Sequence, residues 1–361
     1  MRVSGQLVQE CQRRGRGARS NRSGRFEREQ RSGFDDGWGR DDDHVSARTE
    51  VMEEPARSII TRNDSPDISF DQSINPYRGC EHGCNYCYAR PSHAYLGHSP
   101  GLDFETKLYA KTNAAELLAA ELSSPRYVPK TIALGSNTDP YQPIERQRRI
   151  TRQVLEVLAE ARHPVGIVTK SALVTRDIDI LAPMARQGLV KVALSITTLD
   201  RRLARAMEPR ASTAAKRLDA VQALSKAGIP VAVMTAPIIP GLNDHEIETI
   251  LKAARDAGAT EAGYVLLRLP SELKELFREW LATEYPNRAD RVIKLLRTMH
   301  GGRDYVAEFG ERQRGAGPYA EQIGTRFRLA LKRFDFNQRR QILRTDLFRR
   351  PAAQGGQMVL I

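Results

Sequence analysis

Three cysteines stand within eight residues of one another, in Cys80-Glu-His-Gly-Cys84-Asn-Tyr-Cys87, and the chain has one other, Cys11. A C-x3-C-x2-C run brings three thiolates around one soft metal centre and leaves a fourth corner without a protein ligand; thiolates select iron–sulfur clusters or zinc. An open corner is where chemistry is done. A disulfide would need paired cysteines and an oxidising compartment, and the first residues, MRVSGQLVQECQRR, lack the apolar stretch of a secretory signal. Structural zinc closes with four ligands and would have to recruit His82, His93 or His98. Cys11 reads as a stray exposed thiol. Gly79 and Gly83, next to two of the ligands, suit a loop that bends tightly around inorganic sulfide.

With Tyr86 as the aromatic, C-x3-C-x-aromatic-C resembles the signature of the radical SAM enzymes. The stretch NPYRGCEHGCNYCYARPSHAYLG resembles more narrowly the small bacterial radical SAM proteins grouped with spore photolyase, which reverses a thymine dimer specific to spores. The similarity runs from Pro66 to Leu269. It implies a [4Fe–4S] cluster on Cys80, Cys84 and Cys87, whose fourth iron binds S-adenosylmethionine (SAM) through its amino and carboxylate groups. The implied reaction is one-electron reduction of the cluster and cleavage of SAM to methionine and a 5′-deoxyadenosyl radical, which takes a hydrogen atom from the substrate. Flavodoxin or ferredoxin is the expected electron donor, since the chain has no second cysteine set for its own relay.

A reactive loop needs a frame. From Ser69 short apolar strands alternate with helical stretches: TIALGS at 131–136, PVGIVTK at 164–170, KVALSIT at 191–197, then PVAVMTAPI, and YVLLRLP at 264–270. The helices between them are expected around Ala114 to Leu122, Arg149 to Arg162, Ile178 to Gln187, Lys216 to Lys226 and His245 to Asp256. With the strand before the cysteines this is a six-unit α/β alternation. The expected fold is therefore a partial (β/α)6 TIM barrel, open, with its active face at the C-terminal strand ends. Residues 1–62 read as a disordered Arg/Gly/Asp-rich tail, 63–270 as the barrel, 271–350 as a basic helical extension and 351–361 as a loose tail.

The remaining candidates sit at strand ends. Thr138 and Asp139 follow the second strand and offer acceptors for the methionine amino group, although Asp-Pro is also ordinary turn chemistry. Lys170 closes the third strand and Ser195 the fourth; an ammonium pairs with the methionine carboxylate, and a hydroxyl bonds carboxylate or ribose. Both match SAM-binding positions of spore photolyase. Arg210, in Met-Glu-Pro-Arg, matches an arginine that grips the carboxylate in several radical SAM enzymes, or is a surface residue. Ile238, Ile239 and Leu266, with Leu267, are placed to line adenine. Tyr86 and Tyr88 match the two tyrosines of spore photolyase, whereas Ser136 holds the place of its hydrogen-donating cysteine. A serine O–H does not readily surrender a hydrogen atom. Arg78 and Arg90 flank the cysteines, either moderating the charge of the cluster or as surface residues.

Composition bounds the partners. The 361 residues are 40% apolar with no uninterrupted apolar run near 18 residues, so a sizeable core is expected, no membrane span, a cytoplasmic location and a monomer. A net charge of +12 suits a polyanion. Residues 321–350 interleave nine Lys or Arg with Phe327, Phe334, Phe336 and Phe348, either to contact phosphates and stack on bases or to dock on the barrel. The Arg-rich part of the tail, Arg13 to Arg31, is a second potential nucleic-acid contact. Gly301-Gly302 and Gly315-Ala316-Gly317-Pro318 are expected to shape the substrate entrance. Two readings stand: a radical SAM enzyme acting on nucleic acid by photolyase-like repair or modification, and a noncatalytic nucleic-acid-binding protein with a structural metal.

Overall fold

The computed structural model describes residues 15–27 and 48–352. Its strands are β1 (Glu50–Glu53), β2 (Ile60–Arg62), β3 (Gln72–Ile74), β4 (Tyr77–Arg78), β5 (Lys107–Ala110), β6 (Ile132–Leu134), β7 (Val165–Thr169), β8 (Val190–Ser195), β9 (Val231–Ile238) and β10 (Glu261–Leu266). The main sheet runs β10-β9-β8-β7-β6-β3-β2. From β3 to β10 all neighbours are parallel, and β2 adds an antiparallel edge. Six parallel strands fall short of the eight that close a barrel, and β2 and β10 remain as edges, as the alternation predicted.

Each parallel strand is short and β-branched, with Ile132, Val165, Ile167, Val192 and Val233 at most 1% exposed, because helices cover the outer face and side chains fill the inner one. The covering helices are amphipathic: Ile150–Glu160 buries Val154, Leu155 and Leu158. Local signals set their ends. Thr213 accepts the Lys216 N–H at the start of Ala214–Lys226, and Gly228, at φ 76°, stops that helix so that β9 can begin at Val231.

Two expectations need correction. The strand before the cysteines is divided: β3 joins the main sheet, while β4 pairs with β5 in a small sheet of order β1-β5-β4 and leads directly into the cysteine loop. The disorder expected through residue 62 does not hold where the chain is described. Arg16 to Ser20 are buried, β1 pairs with β5, and β2 edges the main sheet, because long-range polar partners replace the missing apolar burial. Cys11 and the last residues, from 353, lie outside the described residues.

Of the two roles expected for the basic C-terminal segment, its rings take the docked one. Phe327 packs on Tyr264 with ring centroids 4.6 Å apart, and Phe348 sits against Tyr127 and His163. After the helix Pro318–Arg333 the chain runs along the N-terminal ends of the parallel strands. The N–H of Asn337 donates to Thr260, that of Arg344 to Gly188 and that of Arg349 to Ala161, all at 2.8–3.0 Å. This closes the bottom of the barrel and puts the segment on the face opposite the cysteines. Among the described residues no helix is long and apolar enough to cross a membrane.

Candidate active site

The cysteine loop is wound by its own backbone. The Cys80 N–H bonds Phe104 at 2.9 Å, Gly83 N–H returns to Cys80, Cys87 N–H to Cys84, and Asn85 N–H reaches Met207. Gly79 and Gly83 take φ 74° and 68°. A Cβ on Gly79 would stand 2.6 Å from Leu108 Cδ2, so glycine here serves both the turn and the close approach. All three cysteines are unbridged, and Cys80 and Cys84 are buried.

The thiols feel one another. Burial, then Asp139, then Cys84 and Cys87 push the Cys80 thiol well above its usual value, while burial and Glu208 push Cys84 up to about 12 against the opposing Lys170. Such thiols ionise when cationic iron supplies the missing charge. Two of the histidines that zinc would need are otherwise committed. His82 Nδ1 lies 3.3 Å from Asp139 and His98 Nε2 is 2.6 Å from the Tyr109 hydroxyl, whereas His93 packs edge-on against Phe104 and tilted against His98 with neither ring nitrogen hydrogen-bonded. Among the described residues no three His, Cys, Asp or Glu side chains gather for a single ion. Three thiols on one loop, each free to hold its own iron, fit a cube better than a mononuclear site.

Behind the loop sits a buried arginine. Arg90, expected either beside the cluster or on the surface, is fully buried and faces away from bulk water. It donates to the carbonyls of Cys84 (2.8 Å), Gly83 (3.1 Å), Pro100 (3.1 Å) and Gly101 (2.9 Å), and it pairs with the buried Glu105. Arg78 instead pairs with Glu54 near the surface. Only a planar fork makes this set of bonds, so Arg90→Lys is expected to lower stability by about 3 kcal/mol, read from a denaturant melt. A melt within error of wild type would show that the guanidinium does not organise the loop.

The parallel register brings the other candidates to one edge. Thr138 and Asp139 follow β6, Lys170 follows β7, and Ser195, Ile238 and Leu266 are the last residues of β8, β9 and β10. Thr138 Oγ1 donates to the Tyr77 carbonyl at 2.9 Å. Asp139 gathers four donors: Tyr141 N–H, Thr169 Oγ1–H, Lys170 N–H and His82. Burial raises its carboxyl, but His82 and these hydrogen bonds outweigh that and hold it down at about 2. It joins three loops. Arg210 is carried to the same rim by its N–H to the His82 carbonyl, and its guanidinium lies 3.3 Å from Glu81. Ile238, Ile239 and Leu266 are at most 1% exposed and form an apolar floor.

The two tyrosines differ. Tyr86 is buried, with its hydroxyl on Glu208 and Thr197 and the Lys170 ammonium 5.7 Å above its ring. Tyr88 is 45% exposed; its hydroxyl donates to the Ser136 carbonyl and the Arg268 guanidinium lies 5.1 Å over its ring. Sequence reasoning did not find Glu208, Thr197 or Arg217. Glu208 takes the Tyr86 and Thr197 hydroxyls on one oxygen and the Arg217 guanidinium on the other, and Arg217 also donates to the Ser195 carbonyl at 2.8 Å. Burial would raise the Glu208 carboxyl, yet Arg217 and Lys170 bring it down to about 2. Its one sequence signal was its position beside Pro209 in the same short run as Arg210.

A three-cysteine loop at the C-terminal rim of an open α/β sheet defines the class. Residues 74–254, half of the chain, match the Radical SAM superfamily, and the protein belongs to that superfamily. Its cofactors are accordingly a [4Fe–4S] cluster and SAM, and it is an enzyme. An uncharacterized protein of Mycobacterium tuberculosis is 38% identical over 232 residues, 64% of this chain and 68% of that one. A radical SAM Nalpha-GlyT isomerase of Pseudomonas phage M6 is 28% identical over 49% of this chain and 35% of its own length. Among solved structures, a point mutant of spore photoproduct lyase superposes with TM-score 0.56 at 16% identity, covering 79% of each chain. The same lyase complexed with dinucleoside spore photoproduct superposes with TM-score 0.55 at 17% identity, again over 79% of each.

Proposed function

We propose that this enzyme directs its radical chemistry at a nucleic-acid substrate. The observation that carries the reading is the exposed Tyr88, adjacent in sequence to Cys87, with Arg268 over its ring and Lys170 and Arg210 on the same rim. A half-exposed ring beside fixed cations suits a base and its phosphates. The lyase that shares the fold is described with a dinucleoside photoproduct, which supports the same class.

When bound, the cluster and SAM supply a 5′-deoxyadenosyl radical. The chain's residues do the holding: Cys80, Cys84 and Cys87 ligate the cluster, and Lys170 and Arg210 neutralise the methionine carboxylate. Ser195 and Thr138 are hydrogen-bonding groups at the same edge. Asp139, already holding three loops, keeps that edge in register beside the methionine amino group. Ile238, Ile239 and Leu266 form the dry floor for adenine. Tyr86 is locked by Glu208, so the ring accessible to substrate is that of Tyr88, whose hydroxyl donates to the Ser136 carbonyl. Because Ser136 stands where spore photolyase uses cysteine, hydrogen return by a thiol at that position is not part of the proposal. A small acidic redox protein of the flavodoxin or ferredoxin type supplies the electron.

The test has two arms. Anaerobic reconstitution, reduction and added SAM should yield 5′-deoxyadenosine. Separately, single-stranded and duplex oligonucleotides should bind with an affinity that falls steeply with salt and weakens in Arg268→Ala. Cleavage of SAM without salt-dependent oligonucleotide binding would overturn the substrate class and leave the enzyme reading standing. Binding with one zinc and no SAM cleavage would favour a noncatalytic nucleic-acid-binding protein.

A further inference from the structure

Residues 15–27 belong to the Arg-rich stretch that composition assigns to a solvated tail, yet they lie against the back of the cysteine loop. A Cβ on Gly17 would stand 1.7 Å from the Gly83 carbonyl oxygen, so the two backbones touch and only glycine fits. The N–H groups of Gly17 and Ala18 donate to the two carboxylate oxygens of Glu105 at 2.9 and 2.7 Å. Glu105 is fully buried and is the partner of Arg90, which in turn holds the Gly83 and Cys84 carbonyls. Segment, carboxylate, arginine and loop are thus one hydrogen-bonded unit, and removing the segment would leave a buried carboxylate short of donors.

The segment is held from its other side by charge. Arg19 pairs with Glu284, Arg22 lies 2.7 Å from Glu279, and Arg25 lies 3.6 Å from Glu272. These carboxylates belong to the helix Leu273–Glu284 and the residue preceding it. Among the described residues of the segment, Ala18 is the one buried apolar side chain. Arg19, Arg22 and Arg25 are therefore committed to the protein's own acids, which argues against a nucleic-acid arm here. Attachment that rests on polar contacts and little apolar area is separable from folding of the barrel.

We propose that residues 15–27 form a strap that positions the cysteine loop, so that docking of the strap is a condition for retaining the cluster. The strap acts through Gly83, Glu105 and Arg90.

The experiment uses the full chain as wild type, Gly17→Val, Arg22→Glu and the charge swap Arg22→Glu with Glu279→Arg. Two rates are read: alkylation of Cys80 and Cys84 in the apoprotein, by mass spectrometry, and loss of iron to a ferrous chelator after anaerobic reconstitution. Gly17→Val and Arg22→Glu are expected to raise both rates by about tenfold or more while far-UV circular dichroism shows the barrel still folded at the assay temperature, and the swap to return them toward wild type. Trypsin cleavage after Arg19 or Arg25 reports whether the strap has left. Unchanged rates in Gly17→Val, with the strap cleaved or not, would overturn the proposal. Should Gly17→Val unfold the barrel, failure of the swap to restore slow rates relative to Arg22→Glu would overturn it instead. The alkylation arm needs no iron, so a wild type that takes up no cluster would count against the cofactor and leave the strap test intact.

Discussion

Cys84→Ala, reconstituted anaerobically with iron and sulfide, is expected to lose its cluster and with it SAM cleavage, with 5′-deoxyadenosine production falling by more than about 100-fold. Loss of even an outer partner costs metal sites up to that factor, and a lost ligand costs more. The side chain is buried where it meets the fields of Glu208, Lys170 and Arg217. Removing its sulfur deletes little volume, about 1 kcal/mol of packing, so the apoprotein should still fold. Visible absorption and iron content are the readouts, with far-UV circular dichroism as the control. A Cys84→Ala protein that keeps a full complement of iron and cleaves SAM at the wild-type rate would remove the cysteine loop from the chemistry and dissolve the functional assignment.

The second large effect is structural. Glu208→Gln is expected to cost about 3–5 kcal/mol, because it leaves the buried Arg217 without its counter-charge. Both side chains are nearly inaccessible, at 2% and 3% exposure. For a domain of this size that is roughly 10 °C of melting temperature. The effect is linked to pH. The Glu208 carboxyl is depressed from 4.5 to about 2, worth ~3 kcal/mol. A depressed carboxyl stabilises the fold above its unfolded value and loses that contribution as pH falls through its folded value. The gap between wild type and Glu208→Gln should therefore be full above about pH 5 and narrow toward pH 2. Replacing Glu208 and Arg217 together by Leu and Met should recover part of the loss. A gap that is small and independent of pH would mean that the pair does not hold Tyr86 and β8 together.

The network also explains why the two tyrosines, alike in sequence, take different parts. Tyr86 spends its hydroxyl on Glu208, so its ring supports Lys170 from below. Tyr88, two residues on, turns outward beneath Arg268. A one-residue alternation about Cys87 thus separates a structural ring from an accessible one.

The candidate ligand set and the frame that carries it are legible in the chain alone. Thiolate spacing is local, so Cys80, Cys84 and Cys87 announce a metal centre without any fold. Alternation of short β-branched runs with amphipathic helices is periodic, so six parallel strands were legible, and parallel order alone sends Asp139, Lys170, Ser195 and Ile238 to one edge. Only the tertiary structure decided the rest. Glu105 and Gly17 are 88 residues apart, and Tyr86 and Glu208 are 122 apart. Charge pairing across such separations leaves no period in the chain. The same blindness makes the Arg-rich N-terminal segment read as solvent-loving and leaves the Phe-rich C-terminus open between stacking and docking. Composition counts charges and rings, whereas the fold decides which acids neutralise the first and which face of the barrel covers the second.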